Sequence, residues 1–448
     1  MCRKYLAVTV ILIGLGLPFE AGAQKKPLSL DEAIAAGLAA SPGLHASQMK
    51  ADASTAKTRE VAAGRLPSLK FSGGYARLSE VPPFEVTLPI FPTPIVVSRN
   101  YFNNWSLRLS VQQPVFTGFR LEAGEESARM LERSAGADLD KDRSEFIFAV
   151  KSAYWGLARV RDFESIVGET IRQVEEHLKD VRAFFEQGLL TKNEVLRTQI
   201  QLSNARLIAI DARNAVEVAR TSLNSLIGLP VATDVELTTS AESLASRMPD
   251  AEKSGEAAGQ SLIDTALAGR PDIKSAEFRI KASEAGLKAA RAGWYPQVGL
   301  FGNYFALRPN PRLMPAQDKL YGTWDLGVSV SFDIWNWGQT KSQTEQAQAQ
   351  VAQARDARQL IEDQVVLEVT QSRLVLVQAW DKIKVAREAV GQAEENLRMI
   401  REQFQQGLAL NADVMDAEVF LLETRIARTR AEIDFVLAQA RLEKALGY

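Results

Sequence analysis

The feature that most constrains this chain is an internal duplication of its sequence. The segment Phe185–Leu189 recurs 219 residues later as Phe404–Leu408, whereas Pro67 aligns with Pro296 at an offset of 229. The chain therefore contains two copies of one structural unit. The difference between the offsets gives the first copy ten extra residues, which we place in a longer surface loop at the proline-rich stretch 81–94.

Sequence pattern divides the chain into a leader, two copies and a connector. The predicted segments are 1–23, a signal peptide; 24–229, the first copy; 230–260, an irregular connector with a short helix; and 261–448, the second copy. Each copy is predicted to hold a strand pair, at 67–114 and 296–333, followed by a long helical hairpin, at 117–228 and 338–447.

The N-terminus has the pattern of a secretory signal. Arg3 and Lys4 precede the apolar stretch Leu6–Leu17, which is too short to span a membrane, and Ala21-Gly22-Ala23 follows it. We expect cleavage after Ala23. The single cysteine, Cys2, precedes the apolar stretch, which argues against a lipid anchor at a cleavage-site cysteine.

Composition excludes several function classes. With 53 Lys and Arg against 55 Asp and Glu, nucleic-acid binding has no electrostatic support. His45 and His177 are the only histidines and lie far apart in sequence, so a histidine-rich metal site cannot form and a Ser-His-Asp triad is improbable. We therefore expect neither a cofactor nor an enzyme.

Proline-free stretches with heptad repeats predict long helices in coiled-coil contact. The second copy has apolar residues every seventh position, at Val369, Leu376, Ile383, Val390, Leu397 and Phe404. The first copy repeats this register from Val150 to Phe185 with one break, at Glu164. A helix over 118–187 would be roughly 100 Å long. Gly188 and Gly407 are the expected C-terminal caps. A capping box of Thr191 with Glu194 would start one return helix, and Asn411 and Asp413 would serve similarly in the other.

The strand segments predict a membrane barrel. Residues 105–111 and 324–332 alternate apolar with polar side chains, as strands do with one face in lipid. Aromatic residues at the strand ends predict a girdle at the bilayer interface, formed by Tyr101, Trp105, Tyr304, Tyr321 and Trp324. Four strands cannot close, so the barrel must be shared between subunits. Two subunits would give a filled barrel of eight strands, and three would give twelve strands around a lumen, which we favour.

Paired motifs give the chain a resemblance to a known family. Phe185-x-x-Gly188-Leu189 with Asn193–Leu196 recurs as Phe404-x-x-Gly407-Leu408 with Asp413–Asp416, and Val115-Phe116-x-Gly118 and Ile334–Gly338 each follow a strand. The chain in this respect resembles the TolC-like outer-membrane efflux family.

The resemblance implies a mainly α fold with a membrane β portion. Long coiled-coil hairpins would form an α-barrel, and four strands per chain would enter a twelve-stranded barrel in a homotrimer. It also implies contact with outer-membrane lipid, a periplasmic adaptor and an inner-membrane transporter, and a place in the outer membrane of a Gram-negative bacterium, extending into the periplasm.

Carboxylates in the second hairpin turn are the candidate gate. The resemblance matches Asp413 and Asp416 to positions where relatives carry lumen-facing aspartates, and a ring of six carboxylates would attract cations. The equivalent residues of the first turn are Glu194 and Arg197, and Arg197 could pair with Asp413 or Asp416 within or between subunits. The alternative is that Asp413 merely stabilises a helix N-terminus.

The turns themselves expose apolar residues that suggest a protein contact. The candidate adaptor-contact tips are Gly188, Leu189, Leu190 and Thr191 in the first copy, and Gly407, Leu408, Ala409 and Leu410 in the second. Simple closure of each hairpin would explain the same residues.

The sequence therefore predicts the outer-membrane channel of a tripartite efflux or type I secretion system. The alternative is a secreted or periplasmic coiled-coil protein with a structural or pore-forming role. Sequence does not reveal the cargo.

Overall fold

The computed structural model describes residues 26–82, 84–87, 89–90, 92–98, 100–245 and 256–448. The predicted signal peptide, with Cys2 and the expected cleavage site after Ala23, lies outside these residues, as does part of the connector.

The first copy contains a strand pair and a helical hairpin, preceded by short elements that the sequence analysis did not identify. In chain order the elements are β1 (Lys26–Leu28), α1 (Leu30–Ala40), α2 (Pro42–Ala63), β2 (Ser68–Arg77), β3 (Phe84–Val86), β4 (Ile95–Ser98), β5 (Asn103–Phe116), α3 (Arg120–Glu186) and α4 (Lys192–Leu226).

The connector contains β6 (Val235–Leu237) and α5 (Ala241–Ala245). The elements that follow are α6 (Glu256–Gly269), α7 (Pro271–Ala290), β7 (Gln297–Arg308), β8 (Tyr321–Ser331), α8 (Gln339–Gln405) and α9 (Asn411–Ala445). Helices α3 and α8 each have 67 residues, and α4 and α9 each have 35. This equality confirms the two-fold repeat.

The heptad residues form the buried faces of the long helices. In α8 the six residues spaced by seven, from Val369 to Phe404, are all buried. In α3 Val150, Leu157 and Leu178 are buried too, but Phe185 at the end of the register is 41% exposed. The apolar period thus decides which face of each helix packs. At the tip of the first hairpin, however, the last register position, Phe185, is exposed.

Four strands form one antiparallel sheet in the order β2-β5-β7-β8. Strand pairing places Tyr75 opposite Trp105 and Tyr304 opposite Trp324, on a face with many exposed apolar side chains. Because successive side chains of a strand point to opposite sides, the alternate residues lie on the other face, called here the polar face. It carries mainly polar or small residues on β2, β5 and β8, together with Phe301, Phe305 and Leu307 of β7. Within the described residues, strands β2 and β8 each have one unpaired edge, as the predicted shared barrel requires.

The extra residues of the first copy contain structure of their own. We predicted a longer loop at 81–94, and this stretch lies in the connection between β2 and β5, where β3 and β4 pair as an antiparallel hairpin. The connector also holds more than the short helix expected, because β6 pairs in parallel with β1.

The chain divides into two compact units. The first comprises the described parts of Met1–Ala40, Ala149–Met248 and Asp381–Leu437. Here the Tyr154 hydroxyl donates to the Leu28 carbonyl at 3.0 Å and accepts from the Thr239 N–H at 3.1 Å, so α3 holds the C-terminal end of the β1–β6 pair.

The second unit comprises the described parts of Ser41–Phe148, Pro249–Trp380 and Ala438–Tyr448, and it contains the four-stranded sheet. Among its helices, the Arg270 guanidinium pairs with Asp272 at 2.8 Å and with Glu368 at 2.6 Å. It also donates to the Ala445 carbonyl at 3.2 Å, which fixes the end of α9 beside the start of α7.

In the described ranges, no helix is both long enough and apolar enough to cross a membrane.

Candidate gate and docking tips

Both helical hairpins close with the same backbone turn. Gly188 and Gly407 have φ of 76° and 73°, a region that favours glycine. The Leu189 N–H donates to the Phe184 carbonyl at 2.9 Å, and the Leu408 N–H to the Gln403 carbonyl at 2.8 Å. These bonds satisfy carbonyls at the ends of α3 and α8, so each glycine caps its helix as predicted.

The turns expose some of their apolar residues and pack others inward. Leu189 is 68% exposed and Leu408 is 74% exposed. Leu190 and Ala409 are partly buried against an apolar cluster beneath the turns that includes Phe404. Of the residues proposed for adaptor contact, Leu189, Leu408 and Leu410, the last 71% exposed, are thus the accessible apolar side chains, and Gly188, Thr191 and Gly407 are exposed as well.

A buried polar cluster joins the two hairpins below the turns. The Asn411 Oδ1 lies 2.7 Å from His177 Nε2, and the Asn411 amide donates to Glu194 Oε2 at 2.9 Å. Thr198 Oγ1 lies 3.3 Å from the same amide nitrogen. Asn411, His177 and Thr198 are buried. Residues of α3, α4 and α9 are therefore connected through one side chain, that of Asn411.

An ion pair at Glu418 makes a second connection. Glu418 is fully buried and lies 2.8 Å from the guanidinium of Arg401, which is 32% exposed. Gln201 Nε2 also donates to Glu418 at 3.3 Å. A buried carboxylate needs such partners, because burial alone would strongly disfavour its charge. This pair links α8 with α9 and contacts α4.

Both candidate gate carboxylates of the second hairpin are exposed near the start of α9. The Asp413 Oδ2 accepts a hydrogen bond from the Leu410 N–H at 2.9 Å, so Asp413 does cap the helix. Its second oxygen has no described partner, and Asp416 lies one turn further along the same face. Capping and a gating role are thus compatible in Asp413.

Two expectations about the first turn are wrong within the chain. Arg197 lies 3.7 Å from Glu194, not beside Asp413 or Asp416, because residues three apart are neighbours on a helix. Thr191 precedes α4 with extended backbone, but its side chain makes no capping bond. Glu194 instead accepts the Asn411 amide, so the predicted capping box does not form.

The proposed girdle residues occupy different positions. Trp105, Tyr304 and Trp324 are exposed on the apolar face, and Trp105 lies 4.8 Å from Tyr75 between ring centroids. Tyr321 lies opposite Leu307, in the register of the polar face, so its assignment to a lipid-facing girdle is not supported. Tyr101 precedes β5, and its hydroxyl donates to the Ala316 carbonyl at 2.5 Å.

Charged groups elsewhere in the first unit have shifted pKa values, among them Asp162 and Glu395. Burial, with the nearby Glu432 charge, raises the pKa of Asp162 on α3. Hydrogen bonding to Arg398 lowers the pKa of Glu395 on α8. Among the described residues, no group of His, Cys, Asp and Glu is arranged to hold a metal ion.

Sequence reasoning missed His177, Asn411, Arg401 and Glu418 as a structural set. His177 lies between the register positions Val174 and Leu178 and does not interrupt the apolar pattern, so the heptads gave no signal of this set. The partner of His177 lies 234 positions away, and no spacing rule identifies it.

Comparisons with known proteins identify the family to which this chain belongs. A family model described as "Outer membrane efflux protein" matches residues 33–229 and 262–448, one segment for each copy. The outer membrane efflux protein BepC of Brucella suis biovar 1 (strain 1330) is 23% identical over 78% of this chain and 74% of its own length. The alkaline protease secretion protein AprF of Pseudomonas aeruginosa is 24% identical over 76% of this chain and 69% of its own length.

The fold is also that of a solved channel. The outer membrane protein VceC of Vibrio cholerae is similar with a TM-score of 0.76 and 19% identity, over 93% of this chain and 96% of that chain. The predicted trimeric barrel of twelve strands follows from this fold family, in agreement with the unpaired edges of β2 and β8. The alternative of a secreted or periplasmic coiled-coil protein is set aside. This chain is an outer-membrane efflux channel subunit and belongs to the outer membrane efflux protein family.

Proposed function

We propose that this protein is the outer-membrane channel of a tripartite efflux or type I secretion system. Three copies receive cargo from a periplasmic adaptor and an inner-membrane transporter. The observation that carries the proposal is the pair of hairpin tips, where Leu189 and Leu408 are exposed at the ends of long helices. A conduit of this kind needs no catalytic residue and no cofactor.

The two relatives support both types of system. BepC is named for efflux and AprF for secretion of an alkaline protease. On this basis, a small molecule and a polypeptide are both candidate cargoes. Deletion of the gene, followed by growth on a panel of toxic compounds and assay of secreted proteins, separates the two.

The exposed leucines are the proposed adaptor contact. Burial of apolar side chains stabilises a protein interface. Both leucines are exposed in the single chain, so a partner protein can bury them. A photo-crosslinking amino acid at Leu189 or Leu408 should capture the adaptor in cells. The same probe at Leu190, which packs inward, is the matched control and should capture much less. Failure to capture the adaptor from either exposed position would contradict docking at the tips.

Asp413 and Asp416 are the proposed gate. In a trimer they supply six carboxylates, whose charge attracts cations to the entrance and whose mutual repulsion responds to any widening. The double substitution Asp413→Ala and Asp416→Ala should change single-channel conductance and reduce cation preference in a planar bilayer. Glu423→Ala removes an exposed carboxylate from the same helix and should leave both properties unchanged. An unaltered conductance in the double variant would rule out the gating role.

A further inference from the structure

The polar face of the four-stranded sheet carries a fixed pattern of charge. Strand pairing places Lys70, Ser110, Asn303 and Asp325 in one row across β2, β5, β7 and β8. Since apolar residues such as Trp324 occupy the opposite face, this row faces the lumen of the barrel.

Arg108 is held beside this row by Asn303. The Arg108 Nε and Nη2 atoms donate to Asn303 Oδ1 at 3.1 and 2.8 Å. The guanidinium carbon lies 5.3 Å from the centre of the Phe305 ring, a favourable position for a cation. Asn303, only 9% exposed, can orient its amide in one way here, because its Nδ2 donates to Asp325 Oδ1 at 2.6 Å.

The charges on this face do not cancel. Asp325 has its own cation, since Arg312 lies 3.7 Å from Asp325 Oδ2 and donates to the Trp324 carbonyl at 3.0 Å. In the part of the chain that the structure describes, no carboxylate lies within salt-bridge distance of Arg108 or Lys70. Each chain thus presents two uncompensated positive charges, and a trimer presents six.

We propose that this basic ring, defined by Lys70 and Arg108 of each chain, makes the barrel lumen select for anionic solutes. Rings of basic side chains raise the local concentration of anions in a pore, whereas acidic rings favour cations. Asn303 acts as the positioning residue, because it fixes Arg108 without neutralising it. The inference rests on the proposed channel function and adds the class of solute that the barrel favours.

The test is the ratio of anion to cation permeability of purified trimers in a planar bilayer under a salt gradient. All variants carry Asp413→Asn and Asp416→Asn, so that the acidic tips do not dominate the measurement. The parent channel should prefer anions, and Arg108→Gln or Lys70→Gln should each lower the ratio by about twofold. Arg108→Lys keeps the charge and should keep most of the preference, whereas Asp325→Asn should raise the ratio.

Arg308→Gln is the matched control. Arg308 is a cation at the end of β7, opposite Trp105 on the apolar face, and is paired with Asp318 at 2.8 Å. Its loss should leave the ratio unchanged. Should Arg108→Gln not assemble, Lys70→Gln decides, because Lys70 is exposed and loses no described contact.

Two results overturn the inference while leaving the channel intact: a parent that prefers cations, or basic-ring variants whose ratio equals that of the parent. A wild-type protein that forms no channel would refute the proposed function, and this inference with it.

Discussion

The two hairpin tips have the same backbone and different surroundings. Gly188 and Gly407 have φ values within a few degrees of each other, and both turns make the same capping bond. Yet Phe404 is 4% exposed, whereas its equivalent Phe185 is 41% exposed. Duplication has preserved the turn, whose geometry depends on glycine, while the side chains around it have diverged.

The divergence concentrates the buried polar contacts on the second tip. Asn411 replaces Lys192 at the start of the return helix, and Glu418 replaces Gln199 in the second turn of that helix. Asn411 and Glu418 are buried and contact other helices, whereas Lys192 is exposed. We infer that the second hairpin is the more firmly held of the two, and that the first depends on it through the Asn411 cluster.

The largest expected effect comes from substitution of the two equivalent phenylalanines, Phe404 and Phe185. Phe404→Ala should lower the free energy of local opening at the second tip by about 3 to 5 kcal/mol, because it empties a buried site among Phe184, His177 and Leu397. Phe185→Ala should cost about 1 kcal/mol or less, since much of that ring already contacts solvent. Hydrogen exchange of the amides in each turn measures both, and equal losses would contradict the asymmetry.

The next largest effect is expected from a substitution that breaks the buried ion pair. Glu418→Ala leaves Arg401 without its partner and should cost about 2 to 3 kcal/mol, less than a fully buried pair because Arg401 reaches solvent. Gln199→Ala, at the equivalent position of the first copy, should cost about 0.5 kcal/mol or less. The temperature at which each variant's trimer dissociates, read from its mobility on a gel, ranks the two substitutions. Similar temperatures for the two variants would show that the pair contributes little.

Removal of the Asn411 side chain should uncouple the hairpins. Asn411→Ala leaves His177 and Glu194 without their hydrogen-bond partner, at a cost of about 1 to 3 kcal/mol. Cells with this variant should admit a large antibiotic that the intact outer membrane excludes. Lys192→Ala changes the equivalent exposed residue and should not alter sensitivity. Equal sensitivity of both strains would argue against a role of the cluster in closure.

The smallest effect separates capping from gating at Asp413. Asp413→Ala should cost about 1 kcal/mol at the second tip through loss of the bond to the Leu410 N–H. Asp413→Asn keeps an acceptor and should retain most of that stability while it removes the charge. If Asp413→Asn changes cation preference but not hydrogen exchange, the carboxylate has a role beyond the cap. If neither cation preference nor hydrogen exchange changes, Asp413 acts only as a capping residue.

Heptads, strand alternation and repeat offsets were sufficient to predict the long hairpins, the four strands and the need for an oligomer. These signals are local or periodic, so a single sequence carries them. The predicted pairing of Arg197 with Asp413 or Asp416 failed within the chain because Glu194 is nearer on the same helix. Tyr321 was assigned to the girdle from its position at a strand end, and only the register showed which face it occupies.

By itself the sequence determined the duplicated fold, the glycine turns and the membership of a channel family, because glycine caps and apolar periods act over a few residues. Tertiary structure alone decided that Asn411 meets His177 across 234 positions, and that Arg108 remains uncompensated beside Asn303. Such contacts depend on how distant helices and strands are brought together, and no local pattern encodes the partner of a single polar side chain. The two tips therefore share a glycine turn that the sequence predicts, and differ in buried contacts that only the structure shows.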